Sequence, residues 1–182
     1  MDYLYHHVPK NLNGTILFPL NDLKSILPDT FESQVSKYRG REYITQQRIP
    51  QLNNCLWNDV IFLTAIDPQK LFDARKAAGW GDIPPQQYFK IALSSIEERD
   101  LAVYLFKFKG TNNRSGVKSD DFTEFRRSDL ARYRVLPQAT KDYFRSEHER
   151  GEPRIRLFYR YVPHILYKGK IDISKTEIIT VS

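Results

Sequence analysis

Four histidines offer this chain its clearest chance of acid–base chemistry. Two stand side by side in "YLYHHVPKNL" as His6 and His7; His148 lies in the charged run "RSEHERGE", and His164 follows Pro163 in "YVPHILYKGK". Strand side chains alternate between faces, so His6 and His7 must point opposite ways. His6 then shares a face with Leu4 and Val8, the side expected to be inward, and His7 goes with Tyr3 and Tyr5. An imidazole on an apolar face needs a hydrogen-bond partner. It is either a core histidine bonded to a backbone carbonyl or a ligand-holding group in a cleft. If the first and a late strand are neighbours, His6 and His164 would meet as acid and base. Such a pair suits metal-free cleavage or transfer at a phosphate, as in an RNA-cleaving toxin. His148 reads as a solvated helix residue.

Cationic and aromatic groups come next. Arg39 and Arg41 flank Gly40 in "KYRGREY", a spacing compatible with gripping a phosphate or with a capped turn. "KGTNNRSGVKS" has almost no apolar residue and predicts an exposed basic loop over 109–119 carrying Lys109, Arg114 and Lys118. In "RIRLFYR", Arg154, Arg156 and Arg160 fall on one strand face at period two, opposite Ile155, Leu157 and Tyr159. That stripe would track a nucleic-acid backbone or a pyrophosphate, or else be the charged face of an edge strand. Tyr88, Tyr104, Tyr159 and Tyr167 are stacking candidates for a nicotinamide or a base, and equally ordinary sheet aromatics. The lone Cys55 has no activator beside it, and no Cys/His cluster has zinc spacing, so no metal is expected.

A single domain with a real core is expected to hold these groups, because 182 residues fit one domain and no linker divides the chain. The 41% apolar share argues against disorder, and no run of about 18 apolar residues suggests a membrane span. The opening "MDYLYHHVPK" has no basic-then-apolar leader, and the one cysteine fits a reducing setting, so a cytoplasmic location is expected. A formal charge of +6 favours anionic partners: a nucleotide ligand, nucleic acid or an acidic protein. The oligomeric state is left open.

The expected elements are α+β. Tyr3–Val8 reads as a strand ended by Pro9. Short helices follow over 22–27, capped by Asn21, and over 30–37. Val60–Thr64 reads as a buried strand; Asp67 then caps a helix with Pro68 at its first position, closed by Ala77–Ala78–Gly79. "QYFKIALSS" and "LAVYLFKFKG" read as strands that pair across the acidic turn "IEERD". Pro137–Arg150 predicts a helix ended by Gly151. "RIRLFYRYVPHILYKGKIDI" predicts two strands broken at Pro163, and "TEIITV" a last one.

Three of these segments, in order, carry a resemblance. Tyr5–His6 with Asn11–Leu12 is similar to the opening strand of ADP-ribosyltransferases. The nearest are the DNA-targeting toxins and the RNA 2′-phosphotransferases, whose first-strand His or Arg binds a ribose of NAD. "DVIFLTAIDPQKLFDA" is similar to that family's second motif, a strand then a helix, with Thr64 alone standing for its Ser-Thr-Ser triplet. "VPHILYKGKIDISKTEIITV" is similar to its closing pattern: a strand with the catalytic acid, a glycine turn, and a final strand. The resemblance implies a bent, split, mixed or antiparallel sheet flanked by short helices, with NAD in a central cleft. His6 and Asn11 would hold ribose and amide, Arg39 or Arg41 the pyrophosphate, and Tyr104 or Tyr167 would stack. ADP-ribose would pass to nucleic acid or protein, with the 109–119 loop touching the acceptor. One departure stands out: the family's Glu, which bonds a ribose hydroxyl and stabilises positive charge, is replaced by His164. Either another carboxylate (Glu42, Glu97 or Glu98) substitutes, the chemistry differs, or the protein only binds.

Overall fold

A computed structural model describes residues 1–81, 83–105, 117–152, 155 and 157–182. The first half of the chain forms β1 (Tyr3–His7), β2 (Ile16–Leu17), α1 (Leu20–Ile26), α2 (Pro28–Val35), β3 (Arg48–Ile49), β4 (Cys55–Leu56), β5 (Ile61–Leu63) and α3 (Pro68–Ala77). The second half forms β6 (Gln86–Ala92), β7 (Leu101–Tyr104), β8 (Phe122–Glu124), α4 (Leu130–Tyr133), α5 (Gln138–Glu149), β9 (His164–Tyr167), β10 (Ile171–Asp172) and β11 (Glu177–Val181). One-turn 3-10 helices link several of them.

The strands make two main half-sheets. One has the order β1-β6-β11 and the other β5-β9-β7-β8, with minor ladders β2–β10 and β3–β4. All ladders among the described residues are antiparallel. A single bridge, Tyr5 opposite Thr64, joins the halves into one run, β11-β6-β1-β5-β9-β7-β8. One face of that run is continuous core: Leu4, Leu63, Phe89, Ile91, Val103 and Ile165 are all 2% exposed or less and belong to one cluster. Each such aliphatic or aromatic burial is worth about 1.5–3 kcal/mol, so this face decides the register. The opposite face carries two smaller clusters. Phe72 of α3 meets Tyr88 and Val181 at one end, and Val60, Ala102, Tyr104, Phe122 and Leu166 gather at the other.

α3 forms as its sequence dictates. The Asp67 carboxylate accepts the Gln69 amide at 3.0 Å, Pro68 opens the helix, and Gly79 follows with φ +91°. A Cβ at Gly79 would stand 2.8 Å from Cε1 of the exposed His148 ring, which can turn aside, so the left-handed backbone is what favours glycine here. α3 packs on α5 through Leu71, Tyr143 and Phe144, and the Trp80 indole donates to the Phe144 carbonyl at 2.9 Å. No helix among the described residues is long and apolar enough to cross a membrane.

Several expectations are corrected. β6 and β7 do not pair with each other: β6 lies between β1 and β11, and β7 between β9 and β8, so the acidic turn carries the chain from one half-sheet to the other. α1 begins at Leu20 behind Pro19, and Asn21 does not cap it; its amide donates to Asp59 at 2.6 Å. The described residues of "RIRLFYR", 155 and 157–160, form no strand. Residues 158–161 form a turn with Tyr161 at φ +64°, because Phe158 and Tyr159 pack sideways into the helical clusters rather than pairing. Of the expected stripe of Arg154, Arg156 and Arg160, Arg160 stacks over Tyr143 and Tyr161, and the other two lie outside the described residues. His148 is exposed but not simply solvated, since its ring lies edge-on to Trp80 at 5.6 Å.

Candidate functional site

The seam between the half-sheets is the first place where the backbone pattern breaks. Tyr5 N–H donates to Thr64 O at 2.8 Å and Thr64 N–H to Tyr5 O at 3.0 Å. Antiparallel geometry places His7 opposite Phe62 as the next bonded pair. Instead, the His6 ring enters the gap, and its Nδ1 bonds the Phe62 carbonyl at 2.9 Å. A carbonyl only accepts, so Nδ1 carries the proton and the neutral ring offers Nε2 as an acceptor. Burial pushes the His6 pKa down; the Phe62 bond opposes this, and the charges of His7 and Lys37 add to the lowering. The Lys37 ammonium is itself held below its ordinary pKa by desolvation and lies over the Tyr38 ring at 5.1 Å. Tyr38 in turn accepts the Trp57 indole N–H at 3.2 Å.

His164, at the start of β9, sits in an aromatic setting. Its ring stacks on Tyr104 at 6.1 Å, lies edge-on to Phe62 at 5.9 Å and tilts against Tyr159 at 5.9 Å. Desolvation by these rings lowers its pKa to about 4, so the imidazole is neutral at ordinary pH. The Tyr159 hydroxyl donates to that of Tyr88 at 2.8 Å, and Tyr88 lies edge-on to His7 at 5.3 Å. Burial raises both tyrosine pKa values, so both stay protonated.

Pleat alternation assigns these rings to faces. Leu4 and Leu63 belong to the continuous core, whereas Phe62, Tyr104 and Leu166 belong to the opposite face. His6 therefore falls on the Leu4 side and His164 on the Phe62 side. The expected meeting of two imidazoles is thus not what the fold builds. Phe62 links them, its carbonyl to His6 and its ring to His164. The histidine that shares the His164 face is His7, joined to it through Tyr88 and Tyr159. Parity places His6 with Leu4 on the inward side, but which of the two faces His164 shares is fixed only by the Tyr5–Thr64 bridge.

The remaining expected residues divide. Tyr104 lies on the His164 face, but Tyr167 is turned into the core with Gly169 beneath it, where a Cβ would stand 2.6 Å from the ring. Thr64 is buried, and its hydroxyl accepts the Ile66 amide at 3.1 Å, a turn-forming role. Asn11 is exposed in the turn after β1. Arg39 and Arg41 are exposed on the segment carrying Lys37 and Tyr38; Arg41 donates to the Lys37 carbonyl at 2.9 Å, and Gly40 turns with φ +77°. Lys118 is exposed, while Lys109 and Arg114 lie outside the described residues, as does most of the 109–119 loop.

None of the substitute carboxylates reaches His164. Glu97 and Glu98 precede β7 at Leu101, which pairs with Tyr167, at the far end of β9 from His164, and Glu98 is bound to Arg127 at 2.6 Å. Glu42 accepts the Gly40 amide at 2.8 Å within its own turn. Comparison of the chain with family models, curated proteins and solved structures gives no match.

Proposed function

We propose that this chain is an ADP-ribosyltransferase-like domain that binds NAD or a related nucleotide where the sheet opens between β1 and β5. The observation that supports this most is the opening itself. The three segments that resemble the family's motifs begin on β1, β5 and β9, which are consecutive neighbours in the sheet, while the third ends on β11 beyond β6; the first two part at His6. A ring pinned through Nδ1 presents a fixed acceptor, suited to a ribose hydroxyl. Lys37, Arg39 and Arg41, on one short segment, would meet the pyrophosphate. Tyr104 and Tyr159 lie beside His164 on the opposite face of the sheet, so a base stacked on them would have to reach through the gap from the side that His6 occupies.

At the acid position a neutral His164 brings no negative charge to a developing cationic centre. Removing one such electrostatic contact costs about 3 kcal/mol, or about a hundredfold or more in rate. The reading is therefore of nucleotide binding, with any transfer of ADP-ribose to a nucleic acid or protein acceptor correspondingly slow. Titration calorimetry with NAD tests it. We expect measurable heat at or below millimolar ligand, and His6→Ala to weaken binding at least about tenfold, through loss of a hydrogen bond in a desolvated site and through closure of the gap that the ring holds open. No heat from the unaltered protein overturns the reading. RNA or DNA affinity that survives His6→Ala, with NAD silent, would point to a plain nucleic-acid binder.

A further inference from the structure

We propose that the groove between α3 and α5 docks an acidic amphipathic helix of a partner protein. The two helices pack through Leu71 and Phe144, and outside that contact their surfaces, with the segment after α4, line an open groove of about 510 Å³. Its apolar lining includes the half-buried Ala74, the exposed Ala77 and Val135, a valine 64% exposed. Small lining residues let another helix axis approach closely, and a channel between two packed helices is the shape that a third helix's ridge fills. An exposed valine beside the alanines supplies the apolar anchor.

The rim selects the sign of the partner. Lys70, Lys141 and Arg145 border the groove against one acid, Asp73, which is engaged by the Gln69 side-chain amide at 2.9 Å. Arg145 leans on Asp142 of its own helix at 3.5 Å, while Lys70 and Lys141 have no ion-pair partner among the described residues. An apolar lining with a cationic rim complements a helix that shows leucines on one face and carboxylates beside them.

The test uses the full chain and a labelled synthetic peptide with leucines at i, i+3, i+4 and i+7 and glutamates elsewhere, read by fluorescence anisotropy. Two controls are a shuffled peptide of the same composition and one with lysines for the glutamates. Ala77→Trp fills the groove, and the pair Lys141→Glu with Arg145→Glu reverses the rim; all three sites are exposed, and circular dichroism checks that the fold survives. We expect the patterned acidic peptide to bind best, each variant to weaken it about tenfold, and salt to weaken it further. Equal binding of the shuffled peptide, indifference to both variants, or no binding at all overturns the proposal. So does a dimer in sedimentation that Ala77→Trp dissolves, since the groove would then be occupied by a second copy.

Discussion

Acid should weaken this protein in a window set by His164. In the unfolded chain the ring takes up a proton near pH 6.5, whereas in the fold the Tyr104, Phe62 and Tyr159 rings delay it to about pH 4. Between those values the unfolded state holds more protons, so the His164 contribution to stability falls as pH falls from about 6.5 to about 4 and is constant below. The gap corresponds to about 3 kcal/mol, a large share of a typical domain's stability. His164→Phe keeps an aromatic ring in the same box and removes the titration. Urea unfolding followed by the fluorescence of Trp57 and Trp80 measures both proteins across the range. The unaltered chain should lose about 3 kcal/mol more than the variant between pH about 7 and about 4. His6 and His7, also lowered by burial, are common to both and cancel in the difference. Parallel curves, or a His164 ring proton titrating near pH 6.5 by NMR, would refute the burial argument.

Gly79→Ala should cost about 1–2 kcal/mol from its left-handed backbone alone. Adding His148→Ala, which removes the ring that a Cβ would strike, should recover only a minor part; full recovery in chemical unfolding would show that crowding, not backbone, governs the site. Tyr159→Phe should cost about 1 kcal/mol by stripping the buried Tyr88 hydroxyl of its donor, and a stability equal to the parent's would mean that water replaces it.

What was legible in the sequence follows from how local the signals are. The Asp67–Pro68 start and Gly79 end of α3 are read from adjacent residues, and the structure places both there. The alternation of β1 and β11 likewise yields strands at the expected positions. Pairing is another matter: the affinity of β6 for β1 and β11 depends on residues at both ends of the chain, and nothing in "IEERD" announces that the chain changes half-sheets there. "RIRLFYR" shows why period two is insufficient, since Phe158 packs on Phe72 and Phe144 of the helices and Tyr159 on the Tyr88 and His164 side chains, with no ladder partner needed. The site suffered the same limit. Alternation separated His6 from His7 correctly, but which of them shares a face with His164 depends on a bridge between residues 5 and 64. Glu97 and Glu98 looked near in sequence to a strand end, and the antiparallel register put them at the wrong one.

The Phe62 carbonyl, satisfied by a ring instead of by the His7 amide, makes the gap reversible in principle. The Tyr5–Thr64 pair already sets a register in which His7 and Phe62 face each other, so deleting the His6 imidazole leaves a zipper free to advance by one tooth. His6 then works as a doorstop. A variant without it would gain a regular ladder bond while closing the mouth, and hydrogen exchange at the His7 amide would slow as the doorway shut.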